Sequence, residues 1–201
     1  MITLPKTLMN FNYFIAQLSH QVKLSPALEL ELNSRLKEFC ILKGTYVLNP
    51  GEVCKHIYFV KSGFFRIFTS DGFEETTIDF AGSNHIAIAL ANFLMQKSEQ
   101  EGIVCEENAT VYRLSYYDWL ALADIAPEFL HITNLVLQKY LLHTNFEKDV
   151  YRISNSAQKY VYLTQYYKGI ANIVSQKHIA SYLGITGPTL SNLLKEMLRK
   201  P

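Results

Sequence analysis

The stretch from Ser175 to Lys195 leaves this chain little freedom, because its caps, its apolar residues and its turn glycine fall at the offsets of two short helices joined by a tight turn. Ser175 can accept a backbone N–H of the first turn, and Ile179, Ala180 and Leu183 share one face. Gly184 allows the left-handed turn conformation that a Cβ resists. Thr186 caps the second helix, Pro188 is tolerated in its first turn, and Leu190, Leu193, Leu194 and Met197 form its buried side. Small Ala180 lets the two helices approach closely. An ordinary helical hairpin inside a core is the alternative. The coincidence of small residue, glycine and second cap favours a helix-turn-helix, whose second helix enters a DNA major groove while the first crosses the backbone. Ser175, Lys177, Thr186, Gly187, Pro188, Thr189, Ser191, Asn192 and Lys195 would then face the DNA.

Charge is distributed to match. Residues 151 to 201 carry seven Lys and Arg against Glu196 alone, whereas the first 150 residues carry twelve basic and seventeen acidic side chains. A basic module for a polyanion is thus joined to a mildly acidic one, although the net charge is only +1. With 49% hydrophobic and 18% charged residues the chain has enough apolar material for one or two real cores. Cys40, Cys54 and Cys105 are odd in number and widely spaced, which fits reduced thiols better than a disulfide framework or a metal cluster. No apolar run approaches the roughly 20 residues needed to span a membrane. Met1 to Leu18 lacks the pattern of a signal peptide, so a cytoplasmic location is expected.

Residues 1 to about 40 read as helical, with Leu28, Leu32, Leu36 and Phe39 at helical spacings behind the cap signal Ser25-Pro26. From Gly44 to Leu114 the pattern changes to short β-rich runs: Thr45 to Leu48, His56 to Val60, Phe64 to Phe68, Thr76 to Phe80, Ile103 to Val104 and Thr110 to Leu114. Turn signals at Asn49-Pro50-Gly51, Ser62-Gly63, Asp71-Gly72 and Ala81-Gly82 separate them, as in a β-sandwich or small barrel. A helical period returns after Tyr116, and Pro127 opens a long segment to Ile153. Its apolar residues cover more than the single stripe a surface helix needs, so one face can pack on the β domain and another on a second copy, with Leu137 and Leu141 as dimerisation residues. A central helix of a monomer is the alternative. Ser154-Asn155-Ser156 is the hinge into the basic module.

Over nearly its full length the chain resembles the Crp/Fnr family of bacterial transcription regulators, in particular the branch seen in Bacteroidetes. The resemblance rests on the turns within Leu42-Lys43-Gly44-Thr45 and around Gly51, on Ile57-Tyr58-Phe59-Val60-Lys61-Ser62-Gly63-Phe64-Phe65-Arg66, and on Ile179-Ala180-Ser181-Tyr182-Leu183-Gly184-Ile185-Thr186. It implies an α+β fold: an N-terminal β-roll, or double-stranded jelly-roll, sensor domain (1–126), a long dimerisation helix (127–153) and a C-terminal winged helix-turn-helix domain (154–201). Two departures stand out. Family members usually carry a Glu and, four residues later, an Arg that read bases, where this chain has Pro188 and Asn192. Cyclic-nucleotide binders carry a Gly-Glu pair for the ribose and an Arg-Ser pair for the phosphate; here the corresponding region reads Gly82-Ser83-Asn84-His85 and Glu99-Gln100-Glu101.

The function so implied is that of a homodimeric regulator binding a two-half-site DNA operator, with a sensor domain not expected to bind cyclic AMP. Its partners would be double-stranded DNA, a second copy of itself, an unknown small-molecule effector or none, and RNA polymerase as a further candidate; no membrane and no cofactor are implied. Arg66 and His85 are the weak candidates for effector contact, against the plainer readings of an ion-paired strand arginine and a structural histidine. A second hypothesis is an effector-sensing or interaction protein whose helix-turn-helix no longer binds DNA specifically. An enzyme is the rival class, but His56, His85 and Glu52 lack the paired histidine spacing of a barrel metal site, and Cys105 beside Glu106 and Glu107 is a poor nucleophile.

Overall fold

The computed structural model describes residues 24–199. The helical reading of the first 23 residues, and Lys200 of the basic module, lie outside the described residues.

Helix α1 (Pro26–Arg35) starts where Ser25 Oγ accepts the Leu28 N–H at 3.2 Å, and Leu28 and Leu32 bury one stripe. The helix stops earlier than its leucine spacing suggests. Leu36 is extended, and Lys37–Ile41 forms strand β1, so Phe39 lies on a strand. There the Arg113 guanidinium lies over the Phe39 ring, 3.8 Å from its centroid, and Phe39 and Ile41 pack against the core. Tertiary pairing with a neighbouring strand has overridden a helical pattern.

Strands β2 (Tyr46–Leu48), β3 (His56–Ser70), β4 (Glu75–Ala81), β5 (Ile86–Ala87) and β6 (Glu101–Ser115) complete an antiparallel, jelly-roll-like sheet of order β1-β6-β3-β4, with β2 on β6 and β5 on β3. Ser62-Gly63 has the signature of a turn between two strands, but it is an irregularity inside one. Register against β6 shifts at Val60/Ser62, Ser62/Phe64 and Phe64/Phe65. Gly63 has φ +93°, and a Cβ there would sit 2.5 Å from Ala109 Cα. A bulge keeps the chain in the sheet where a turn would end it. Asp71-Gly72 does turn the chain between β3 and β4, with Asp71 Oδ1 accepting the N–H groups of Phe73 and Glu74.

The part of the β3–β4 limb formed by Phe64–Phe68 and Phe80–Ala81 is covered on both faces, which explains the near-continuous apolar run of β3 there. Phe65, Ile67 and Ala81 join the core of the β domain, while Phe64 and Phe80 point the other way into a second core with Leu163, Ile170, Ile179, Ala180, Leu183 and Leu190.

Helix α2 (Leu90–Met95) precedes β6, and helix α3 (Tyr116–Ile125), capped by Ser115, follows it. The long helix α4 spans Pro127–Ile153; Phe129 and Ile132 enter the β-domain core. Asn155 and Gln158 then form a reciprocal capping box that starts α5 (Ser156–Tyr166), followed by α6 (Ile170–Ile173), α7 (Gln176–Leu183) and α8 (Gly187–Arg199). Among the described residues no strand follows Ser115, so the wing expected beside the helix-turn-helix has no counterpart there. No helix among them is long and apolar enough to cross a membrane.

Candidate functional site

Helices α7 and α8 form the helix-turn-helix. Ser175 Oγ accepts the His178 N–H, Gly184 sits at φ +67°, and Thr186 Oγ1 accepts the Thr189 N–H at 3.3 Å. Ile179, Ala180, Leu183 and Leu190 are buried between the helices and the rest of the chain. On the outside, Ser175, Lys177, Thr186, Gly187, Pro188, Thr189, Asn192 and Lys195 are exposed, and Ser191 is half-buried. Gly187, Pro188 and Thr189 lie on the first turn of α8, and Asn192 and Lys195 extend the open side along it. This surface presents short polar groups, an amide and an ammonium to solvent.

The first helix of the pair is docked on the β domain and the second is left open. Ser181 Oγ on α7 accepts the Thr77 N–H of β4 at 3.0 Å. The Tyr182 hydroxyl donates to Glu147 Oε1 of α4 at 3.0 Å, and its ring meets Phe80 and Tyr151. At the start of the module the Tyr167 hydroxyl donates to the Phe80 carbonyl at 2.8 Å and lies 3.3 Å from Asp79 Oδ1. Burial, reinforced by the nearby Glu147 charge, pushes the Asp79 carboxyl up to about 7. Ser181, Tyr182, Tyr167 and Asp79 were not singled out in the sequence. An acid between Ile78 and Phe80, and the tyrosine-rich run from Tyr160 to Tyr167, are the signals that could have found them.

Of the two candidate effector contacts, Arg66 is already used. It is 2% exposed, with Nε donating to Glu106 at 2.8 Å, Nη2 donating to Glu75 at 2.6 Å and its guanidinium over Phe68. His85 is half-buried at the edge of a large cavity, against the rings of Tyr166 and Tyr167, and burial lowers its pKa. The two residues are not brought into one site. Glu99 is exposed, and Glu101 is half-buried with its carboxyl raised by burial and by Glu99. Leu137 lines the same cavity as His85, whereas Leu141 is 59% exposed beside exposed Leu142 and Phe146.

Cys54 and Cys105 are buried and Cys40 is exposed. Burial more than the flanking carboxylates pushes the Cys105 thiol up to about 11, which keeps it protonated and unreactive. Among the described residues no group of three or more His, Cys, Asp and Glu is placed to hold a metal ion.

Residues 39–125 match the family described as cyclic nucleotide-binding domain. Several solved structures share the fold over most of the chain. One is the regulator CLP of Xanthomonas campestris, described as c-di-GMP-responsive: 17% identical, covering 87% of this chain and 92% of that one, with a TM-score of 0.66. The catabolite activator protein of Thermus thermophilus is 22% identical, covering 91% and 87%, with a TM-score of 0.52. A protein of Eubacterium rectale assigned to the crp/fnr family of transcriptional regulators is 15% identical, covering 87% and 84%, with a TM-score of 0.66. No curated protein matches the sequence. Residues 39–125 are therefore similar to a cyclic nucleotide-binding domain, and the fold of the chain, sheet and following helices together, is similar to that of these three structures. These structural neighbours are regulators rather than enzymes.

Proposed function

We propose that the protein is a cytoplasmic, homodimeric transcription regulator of the Crp/Fnr type that binds a two-half-site DNA operator through α7 and α8. The observation that carries this reading is the open outer side of α8: docking on the β domain engages α7 through Ser181 and Tyr182 and leaves Gly187, Pro188, Thr189, Asn192 and Lys195 exposed. In this reading Lys177 and Lys195 hold phosphates, and the Asn192 amide pairs with the N6/N7 edge of adenine. Dimerisation through α4 is supported by the exposed run of Leu141, Leu142 and Phe146. A twofold dimer places its half-sites about 34 Å apart. At a promoter such a regulator would meet RNA polymerase. The boundaries 1–126, 127–153 and 154–201 are the corresponding division into sensor, dimerisation helix and DNA-binding module.

The sensor in this reading does not take cyclic AMP. Arg66 is committed to Glu75 and Glu106, and the segment from Gly82 to Glu101 supplies carboxylates and no arginine for a phosphate. A cyclic phosphate without a charge-assisted partner loses its hydration uncompensated.

The test is selection of bound duplexes from a randomised library, followed by binding to the selected sequence at increasing salt. A two-half-site motif is expected. Replacing Lys177 and Lys195 by Ala should lower the log–log salt slope for all sequences by about 2 per protomer, hence about 4 for the dimer. Asn192→Ala should relax preference at one base pair by about 1–3 kcal/mol. A pool without a shared motif, bound no better than random DNA, would favour an interaction protein whose helix-turn-helix has lost specific binding.

A further inference from the structure

Between β3, β5, α2 and α4 lies a cavity of about 610 Å³. Its lining runs along α4 from Phe129 to His143, roughly 21 Å at the rise of an α-helix. Its two ends differ. Around Phe93, Trp119, Phe129 and Ile132 the walls are hydrocarbon and aromatic. At the other end stand His85, Tyr140, His143, Tyr166 and Tyr167, with the Asp79 carboxyl and the exposed Lys139.

The polar end is arranged to meet an acceptor. Asp79 Oδ1 already receives the Phe80 N–H and lies in reach of the Tyr167 hydroxyl. Glu147 receives the Tyr182 hydroxyl. His143 stacks on Tyr166 at 4.5 Å between centroids, and its buried Nε2 makes no hydrogen bond, the Glu147 carboxylate being 3.5 Å away. An anionic head group would meet the Glu147 carboxylate behind His143 and leave water for a largely apolar wall, and the lysine of the lining, Lys139, is exposed and already partnered. A cationic one would have to compete with the Phe80 N–H and Tyr167 hydroxyl for Asp79 Oδ1 and with the Tyr182 hydroxyl for Glu147 Oε1. A neutral carbonyl meets the hydroxyl and imidazole groups without either cost.

We propose that this cavity binds an uncharged, elongated molecule with an aliphatic or aromatic body and a carbonyl end group, and that the helix-turn-helix reads its occupancy. This deepens the sensor role proposed above and rests on it. The route is short, because Tyr167 and Phe80 line the cavity and also belong to the core that holds Ile179, Ala180 and Leu183 of α7. A ligand against Tyr166 and Tyr167 touches the platform on which α7 sits.

The neutral fluorophore N-phenyl-1-naphthylamine serves as probe on the full chain, without DNA. It should bind, and 2-undecanone should displace it about tenfold more tightly than decanoate or decylammonium, as expected when a charge must be buried. Val136→Trp and, separately, Leu137→Trp should fill the cavity and weaken probe binding about tenfold while circular dichroism is retained. Saturating 2-undecanone should slow amide exchange in Ile179–Leu183 about threefold in wild type. Absence of probe binding, equal competition by the charged analogues, or probe affinity unchanged in both folded Trp variants would overturn the site; exchange unchanged by bound ketone would overturn the coupling. None of these readouts uses DNA, so a failure of DNA binding is separately visible.

Discussion

Asp79→Asn isolates the half-buried carboxyl that sits where the β domain meets the helical module. Burial and Glu147 raise Asp79 from its ordinary 3.8 to about 7 in the folded chain. Well below pH 3.8 the group is protonated in both folded and unfolded states and stability is at its full value. As pH rises from about 4 to 7, the unfolded chain releases this proton while the folded chain retains it, so stability falls and then levels above the folded pKa. The rise from 3.8 to about 7 corresponds to an upper bound of about 4 kcal/mol, reduced to the extent that local opening lets water reach the carboxyl. Asparagine keeps the shape, and its Oδ1 can accept from the same Phe80 N–H and Tyr167 hydroxyl. Urea unfolding of both proteins across this range should give equal stabilities at the acid end and a variant that gains on wild type with rising pH. A difference between the two that is flat with pH would refute the perturbed carboxyl, whatever its size.

Leu141→Glu places a charge on the exposed stripe of α4 and should convert dimers to monomers in sedimentation, while Leu137→Glu, directed at the cavity wall, should chiefly reduce stability. A folded Leu141→Glu protein that still sediments as a dimer would exclude this stripe as the interface. Gly63→Ala combines a left-handed residue with a Cβ driven onto Ala109, and should cost about 2–4 kcal/mol in denaturant unfolding; a loss below the measurement error would mean the bulge relaxes freely. Tyr182→Phe removes the hydroxyl donated to Glu147, worth about 1 kcal/mol, and should speed amide exchange in α7 about fivefold. Unchanged exchange would show that the aromatic contacts alone seat the helix.

Local chemistry was legible in the sequence wherever one residue decides the outcome. Ser175, Gly184 and Thr186 take the capping and left-handed positions their side chains suit, and the long helix starts at Pro127 and ends at Ile153 as its apolar period and flanking signals indicate. What was not legible depends on contacts distant in sequence. Phe39 continues a helical spacing, but pairing with β6 and the Arg113 guanidinium give it a better place on a strand. Ser62-Gly63 has turn chemistry, yet close approach of Ala109 makes it a bulge, and nothing within the dipeptide distinguishes the two. The same limit governs the candidate site. An arginine on a strand is equally available in sequence to a ligand and to an ion pair; Glu75 and Glu106, nine and forty residues away, settle the matter for Arg66 by engaging its guanidinium. Conversely, Phe64 and Phe80 read as ordinary core aromatics. Only the alternation of β3 and β4, which sends Phe65 and Ala81 inward, leaves Phe64 and Phe80 facing Tyr167 and α7. The link between cavity and helix-turn-helix is therefore a property of strand parity together with a tyrosine-rich helix docking on it. A single-residue shift in register would exchange the two sets of aromatics and remove the link without changing composition.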